Sequence, residues 1–410
     1  MAKIAILGYG TVGSGVFEVI TRNNDIVSKN AKEKVEIKYV LDLRDFPGDP
    51  VEKVLTHNFE DIVSDSEVEV VVEVMGGTKP AYDFVKRSLQ AGKSVCSSNK
   101  ELVEAHGAEL MAIAKENSVN FLFEASVGGG IPIIRPLRTS ITADRILSIS
   151  GILNGTTNYM LTNMSSGTLK YEEALKNAQD KGYAEKDPTA DVEGFDACRK
   201  IAILSSIATG KNVSFDDIPT TGISKITKTD MKYVNATGGS IKLIAKAVLD
   251  ENGAWARVAP VIISKENPLS TVNKVFNAIL VEGDMLGETM YYGKGAGKLA
   301  TAAAVVSDVV ENILLKNNNV GCLWSEEKMQ LESLDDIEVQ KLVRIKVNDI
   351  EKAEEAVCDI FGVDEFITVK DGETAFITKK EKEALIKEKL EKLSNEAAVK
   401  QVRTTILYEA

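Results

Sequence analysis

"KIAILGYGTVGSGVFEVI", Lys3 to Ile20, decides how the chain begins to fold. A short apolar run ends at Gly8, and the glycines Gly8, Gly10 and Gly13 stand in G-x-G-x-x-G spacing, with Thr11 and Val12 opening the helix between the last two. Glycine at these positions permits a tight turn, close approach of backbone to a pyrophosphate, and close packing of the helix on the strand. The helix N-terminus then faces the phosphates. Three glycines alone are weak evidence. At the first strand–helix turn of an alternating segment they point to a dinucleotide site rather than a structural turn.

Outward from this turn the alternation continues. Strand-like runs lie at 3–8, 35–41, 68–75, 94–98 and 120–127, with helical patterns at 80–92 and 100–118 among those between them. Continuous apolar strands alternating with helices imply a parallel, doubly wound sheet, an α/β domain over residues 1–130. From 131 to 324 the mixture is less regular, with strand-like "RILSISGIL", "WARVAPVIIS" and "AILVEG", and suggests a second, α+β domain. The polar stretch 325–338 reads as a linker. Residues 338–410 then follow a β-α-β-β-α-β order, a ferredoxin-like unit.

At 410 residues two or three domains are expected. No apolar run reaches membrane-spanning length, and the N-terminus enters a strand without a signal-peptide pattern. Cys96, Cys198, Cys322 and Cys358 lack metal-ligand spacing and read as reduced thiols of a cytoplasmic protein. A net charge of −12 argues against nucleic acid and anionic membranes as partners. An anionic cofactor needs only a local positive site.

The second strand ends in "VLDLRDF", with Asp42 and Arg44. An acid there would hold the ribose 2′-hydroxyl of NAD, and an arginine would suit the 2′-phosphate of NADP. Arg44 as phosphate clamp is the preferred reading, against a solvated loop charge.

A nicotinamide enzyme acting on an alcohol needs a group that moves the hydroxyl proton. The chain has two histidines, His57 and His106, and neither adjoins a polar cluster. Cys96 and Cys198 have no histidine neighbour to activate them. Lysine remains. Lys100 follows "CSSN" at the carboxyl end of a strand, where open α/β sheets bind ligands. Lys200 closes "GYAEKDPTADVEGFDACRK", the densest charge cluster of the chain, which runs straight into apolar "IAILSSIATG". Asp187–Pro188 reads as a helix start and Gly210 as its stop. On that helix Glu193, Asp196 and Lys200 share a stripe that continues into Ile203, Leu204 and Ile207. Phase alone leaves two readings, an ordinary surface ion pair or charges carried into a buried helix.

The charge cluster resembles the signature of homoserine dehydrogenases at Ala178, Gly182, Asp187–Pro188, Asp191, Gly194, Asp196 and Lys200. "SSNKELV", "FEASVGGGIPII" and "GILNGTTNYML" are similar to other segments of that family, in the same order, over about residues 3 to 315. The last 70 or so residues look like an ACT domain. The resemblance implies a Rossmann domain, a central catalytic and dimerisation domain, and an ACT-like regulatory or assembly domain. It implies reversible hydride transfer between L-aspartate 4-semialdehyde and L-homoserine with NADP or NAD, in threonine and methionine biosynthesis.

By the same resemblance Lys200 would donate and accept the proton, while Asp196 and Glu185 hold the substrate's hydroxyl and amino ends. Lys100 would lie between substrate and nicotinamide, with Asp191 in support. Gly295 and Gly297 would return to the cofactor, and the helix at about 296–315 would pack back on the first domain. A sodium ion would be held by main-chain oxygens of Glu124, Val127, Gly129 and Ile131. The serines of "CSSNK" and the "LDLRD" segment depart from the commonest family pattern, and the second bears on cofactor choice.

Two other readings compete: a non-catalytic amino-acid sensor that keeps the fold, and an aspartate-semialdehyde dehydrogenase with a cysteine nucleophile. Lys100, Glu185, Asp196 and Lys200, all present, speak against the first. For the tail, "KLVRIKV" and "VRTTILY" alternate in polarity and read as edge strands free to pair with a second copy, giving a homodimer or homotetramer. The tail is then expected to be dispensable for chemistry, and threonine is a candidate effector there.

Overall fold

The computed structural model describes residues 1–250 and 253–409, which form two compact units. The first comprises Met1–Ile149, Arg199–Asp217 and Ile279–Met329. Its sheet has β1 (Ala2–Leu7), β2 (Val35–Leu41), β3 (Leu55–Thr56), β4 (Val68–Glu73), β5 (Ser94–Ser97) and β6 (Phe121–Leu122). The order is β3-β2-β1-β4-β5-β6 and every pair is parallel, the doubly wound order expected of a dinucleotide-binding sheet. β3 went unseen in the sequence because two residues carry no period. The expected strand at 120–127 shortens to Phe121–Leu122, and a 3₁₀ turn at Glu124–Ser126 takes its place.

One face of this sheet carries Ile4, Ile6, Val70 and Val72. They share a buried core with Val16 and Ile20 of the helix Thr11–Arg22 and with Ala302, Val305, Val309 and Ile313 of the helix Lys298–Leu314. The two helices approach closely: a Cβ on Gly15 would stand 2.8 Å from the Lys298 carbonyl oxygen and 3.0 Å from the Ala302 Cβ. A late segment of the chain thus completes the first core.

The second unit comprises Ser150–Cys198, Ile218–Ala278 and Gln330–Ala410, with Ala410 outside the described residues. It is built on β8 (Ser240–Asp250), β9 (Gly253–Ile263), β12 (Glu338–Val347), β13 (Ile367–Lys370), β14 (Glu373–Ile377), β15 (Glu381–Lys382) and β16 (Val399–Glu409), with the end of β7 (Ile146–Ile152) and the start of β10 (Phe276–Gly283), whereas β11 (Gly287–Lys294) belongs to the first unit. β8 and β11 were missed in the sequence. The sheet runs β10-β7-β8-β9-β16-β12-β14-β13.

The β-α-β-β-α-β order of the tail is observed, with helices Ile350–Phe361 and Glu383–Ser394 packed on Val343, Ile345, Val347 and Phe376. Its independence is not. β16 pairs antiparallel with β12 along most of its length, while Leu407–Glu409 also pair in parallel with Val261–Ile263 of β9. β12 lies between β14 and β16. Neither strand is therefore a free edge awaiting a second copy. Alternation of polarity reveals which faces a strand buries, but is silent on which strand takes each edge.

A buried ion-pair network adds to this junction. Arg344 of β12 donates from Nε to Asp230 Oδ1 (2.9 Å) and from Nη1 to Glu373 Oε2 (2.5 Å). Asp230 belongs to the helix Lys228–Ala236, and the Tyr233 hydroxyl of that helix donates to the Glu373 carbonyl (3.2 Å).

Candidate active site

At the glycine turn Gly8 has φ +99°, and a Cβ on Gly13 would stand 1.9 Å from the Gly8 carbonyl oxygen. Gly10 caps the helix Thr11–Arg22, and a Cβ there would meet nothing within 4 Å. The turn is closed on the sheet side and open on the other, as a phosphate cradle requires.

The sequence offered Asp42 and Arg44 as alternatives; in the structure they act as a pair. Asp42 Oδ2 accepts from the Tyr9 main-chain N–H (2.8 Å), so its carboxylate abuts the glycine turn. Arg44 donates from Nε to Asp42 Oδ1 (2.9 Å) and from Nη2 to Oδ2 (3.0 Å), and its guanidinium lies 5.1 Å from the Phe46 ring centroid. The Arg44 side chain is 62% exposed. Its hydrogen bonds hold the Asp42 carboxyl well below the usual range.

His57 stands at the same corner, exposed, with Nδ1 2.6 Å from the Asp42 carbonyl. His106 packs against Tyr82. Neither histidine lies beside Lys100 or the acidic cluster in the chain. Cys96 is fully buried beside Asn312, and burial pushes its thiol well above the ordinary value. Such a thiol is no nucleophile, which weighs against the cysteine-dependent alternative.

Lys100 opens the helix Lys100–Glu116 just beyond β5. Asn99 caps that helix, accepting from the Leu102 N–H (3.1 Å), and its amide donates to the Gly77 carbonyl (2.6 Å). Beneath it lies Glu73, which sequence reading passed over. It is wholly buried at the end of β4 and accepts from Ser97 Oγ (2.6 Å) and the Met75 N–H (2.8 Å). Burial pushes its pKa up. An acid closing a run of valines was the available signal.

The loop Glu124–Ile134 is held from within. Glu124 is buried, and its carboxylate accepts from the N–H groups of Ile133 (2.6 Å), Ile134 (2.9 Å) and Arg135 (2.7 Å). Its own N–H donates to Asp308 Oδ2 (2.9 Å), a carboxyl that burial raises to about 8. Gly129, at φ +57°, approaches so closely that a Cβ would stand 2.3 Å from the Gly295 oxygen. A Cβ on Gly128 would be 2.2 Å from the Ile131 oxygen. Gly297, at φ +121°, caps the helix Lys298–Leu314.

The charge cluster folds differently from the single helix expected. Thr189–Val192 is one short helix. Gly194, at φ +84°, breaks the chain direction, and Phe195–Thr209 is a second helix. Glu193 therefore leaves the stripe, and Asp187 serves instead as a turn residue, accepting from Thr189 N–H and Oγ1. The glycine that ends the first helix was the missed signal. Asp196 and Lys200 remain one turn apart on the second helix, 6% and 8% exposed, and Ile201 to Leu204 beyond them are fully buried. The charges are carried into a buried helix.

In the second unit Asn154 gathers the acids. Its amide donates to Asp191 Oδ1 (2.7 Å) and Asp196 Oδ2 (2.9 Å). Next to it Thr156 Oγ1 donates to the Tyr183 carbonyl (2.6 Å), tying down the loop that carries exposed Glu185.

A doubly wound sheet with a glycine cradle at its first turn, and buried lysine and aspartate on one helix, defines a dinucleotide-dependent oxidoreductase. Residues 8–124 match the family described as homoserine dehydrogenase, NAD binding domain, and 132–310 match homoserine dehydrogenase. The chain is 41% identical to the homoserine dehydrogenase of Bacillus subtilis over 356 residues, 85% of this chain and 82% of the relative. It is 43% identical to that of Synechocystis over 335 residues, covering 80% and 75%. The crystal structure of a homoserine dehydrogenase from Thiobacillus denitrificans superposes with a TM-score of 0.91 at 33% identity, over 100% of this chain and 98% of that one. A hyperthermophilic archaeal homoserine dehydrogenase in complex with NADPH reaches 0.66 at 28% identity, over 76% and 98%. The chain belongs to the homoserine dehydrogenase family, the NAD(P)-dependent oxidoreductases that its motifs resemble. Among the described residues no helix is long and apolar enough to cross a membrane.

Proposed function

We propose that this chain catalyses the reversible reduction of L-aspartate 4-semialdehyde to L-homoserine, with Lys200 moving the proton at the substrate oxygen. NAD(P)H, when bound at Gly8, Gly10, Thr11, Val12, Gly13, Gly295 and Gly297, supplies the hydride. Asp196 orients the hydroxyl end, Glu185 binds the ammonium, Asp191 supports Asp196, and Lys100 lies between substrate and cofactor. The observation that carries this reading is the placement of Asp196 and Lys200, both nearly buried, one turn apart on a helix that continues into the fully buried run Ile201–Leu204. Charge is carried into such a helix only where it has a function or a partner.

The exposed outer edge of Arg44 suits the 2′-phosphate of NADP, while its inner edge neutralises Asp42. A monovalent cation at the glycine loop would take main-chain oxygens of Glu124, Val127, Gly129 and Ile131. Supporting this, the Glu124 carboxylate is committed to three N–H groups. The described residues also hold no cluster of three or more His, Cys, Asp or Glu fit for a metal. Hard carbonyl oxygens suit such a cation. Residues 1–130, 131–324 and 338–410 are assigned to cofactor binding, to catalysis and dimerisation, and to ACT-like regulation with threonine as candidate effector. Light scattering with and without threonine tests the last two.

Absorbance at 340 nm with homoserine and each cofactor tests the activity. Lys200→Ala is expected to lower kcat by about 10²–10⁴-fold with cofactor affinity unchanged. Near-native kcat would remove Lys200 from the chemistry.

A further inference from the structure

Asn154 follows β7 and divides its amide between two tasks. Oδ1 accepts from the Thr157 N–H (2.8 Å) and Thr157 Oγ1 (3.0 Å), capping the helix Gly155–Met164. Nδ2 donates to Asp191 Oδ1 (2.7 Å) and Asp196 Oδ2 (2.9 Å). Turned over, the amide would set its oxygen against two carboxylates and its NH₂ against the Thr157 N–H. The network therefore fixes its orientation. A primary amide has two N–H groups, one for each acid, and Asn154 is 5% exposed, so little water competes for them.

We propose that Asn154 is the positioning residue of the substrate site: it holds Asp191 and Asp196 together against their mutual repulsion and aims Asp196 at the substrate. The inference rests on the assignment of Asp196 as a substrate ligand. Serine at 154 would still cap the helix but be too short to reach either carboxylate. A displacement near 1 Å at a reacting centre costs about 10²-fold in rate.

The test is Asn154→Ser beside Asn154→Ala, with kcat, KM for homoserine, NADPH affinity by fluorescence, and melting temperature. Asn154→Ser is expected to lose about 10–100-fold in kcat while melting and NADPH affinity stay near wild type. Asn154→Ala should match that kcat loss and also melt lower. Asn154→Asp keeps the size and the cap acceptor but sets a third carboxylate against the other two, and should lose more than the serine variant. Combining Asn154→Ser with Asp191→Asn should be less than additive. Asp196→Ala separates the two levels. If it retains activity, the assignment of Asp196 fails. If it abolishes activity while Asn154→Ser or Asn154→Asp keeps native kcat, Asn154 is only a helix cap and the proposal is overturned.

Discussion

Replacing Arg344 with methionine tests whether the tail is part of the central fold. The Arg344 side chain is 7% exposed, and the side chains of its partners Asp230 and Glu373 are 1% and 4% exposed. Breaking a buried pair by removing one partner typically costs about 3–5 kcal/mol. Here the acids keep some company. Asp230 Oδ2 still accepts from the Thr227 N–H (2.8 Å) and Oγ1 (2.6 Å), and Glu373 still meets Lys370 Nζ (3.0 Å). The lower end applies, about 3 kcal/mol, or about 6–12 °C in melting temperature at 2–4 °C per kcal/mol.

The effect depends on pH. Burial pushes the Glu373 pKa up, but Lys370 and Arg344 outweigh it and hold the value below 4.5. A depressed acid contributes stability that is present above its unfolded pKa and lost as pH falls through its folded one. Wild type should therefore lose stability below about pH 4.5, and the Arg344→Met variant should lose less, so the gap narrows on acidification. Adding Glu373→Gln to Arg344→Met should recover part of the loss. Calorimetry or urea titration reads all of this. A melting temperature within about 2 °C of wild type, with no change in acid sensitivity, would refute the view that this network fastens the tail.

Truncation after Ile337 removes β12, β14 and β16, leaves the β9 edge unpaired and strips Asp230 of Arg344. The truncated chain is expected to aggregate or melt early, and a soluble, native-like product would show the tail to be separable after all. Arg44→Ala should weaken NADP far more than NAD and free Asp42 for a ribose hydroxyl. The ratio of kcat/KM for the two cofactors measures this, and equal effects on both would make Arg44 a bystander. Glu185→Ala should raise KM for homoserine with kcat much less affected, as expected for a group that binds the ammonium end alike in ground and transition states. A fall in kcat at unchanged KM would assign Glu185 to the chemistry.

Much of the first fold was legible because its signals are local. Glycine spacing, valine-rich strands and strand–helix alternation each lie within a few dozen residues, and β1, β2, β4 and β5 stand where they were expected to within two residues or so. What escaped was non-local or too short to show a period. β3 has two residues, and the pairing of Leu407–Glu409 with Val261–Ile263 joins segments far apart in the chain. The tail's element order was readable from hydrophobic alternation. Its attachment was not, since an edge of hydrogen-bonding groups looks the same whichever strand fills it.

The site divides along the same line. Asp196 and Lys200 stood out because charge next to apolar sequence is a local anomaly, Lys100 by its place after β5, and Asp191 only through the resemblance. Gly194 was visible too, but was passed over in favour of one continuous helix. Asn154 sends no such signal. An asparagine before Gly-Thr-Thr reads as a helix cap, and it is one. Its second task arises only where the fold returns residues 37 and 42 positions later to within reach of its amide. One neutral side chain is thereby fixed at both ends, by helix N–H on one side and by two carboxylates on the other. Local signals thus single out Asp196 and Lys200, whereas the hold of Asn154 on Asp191 and Asp196 is apparent only from the folded chain.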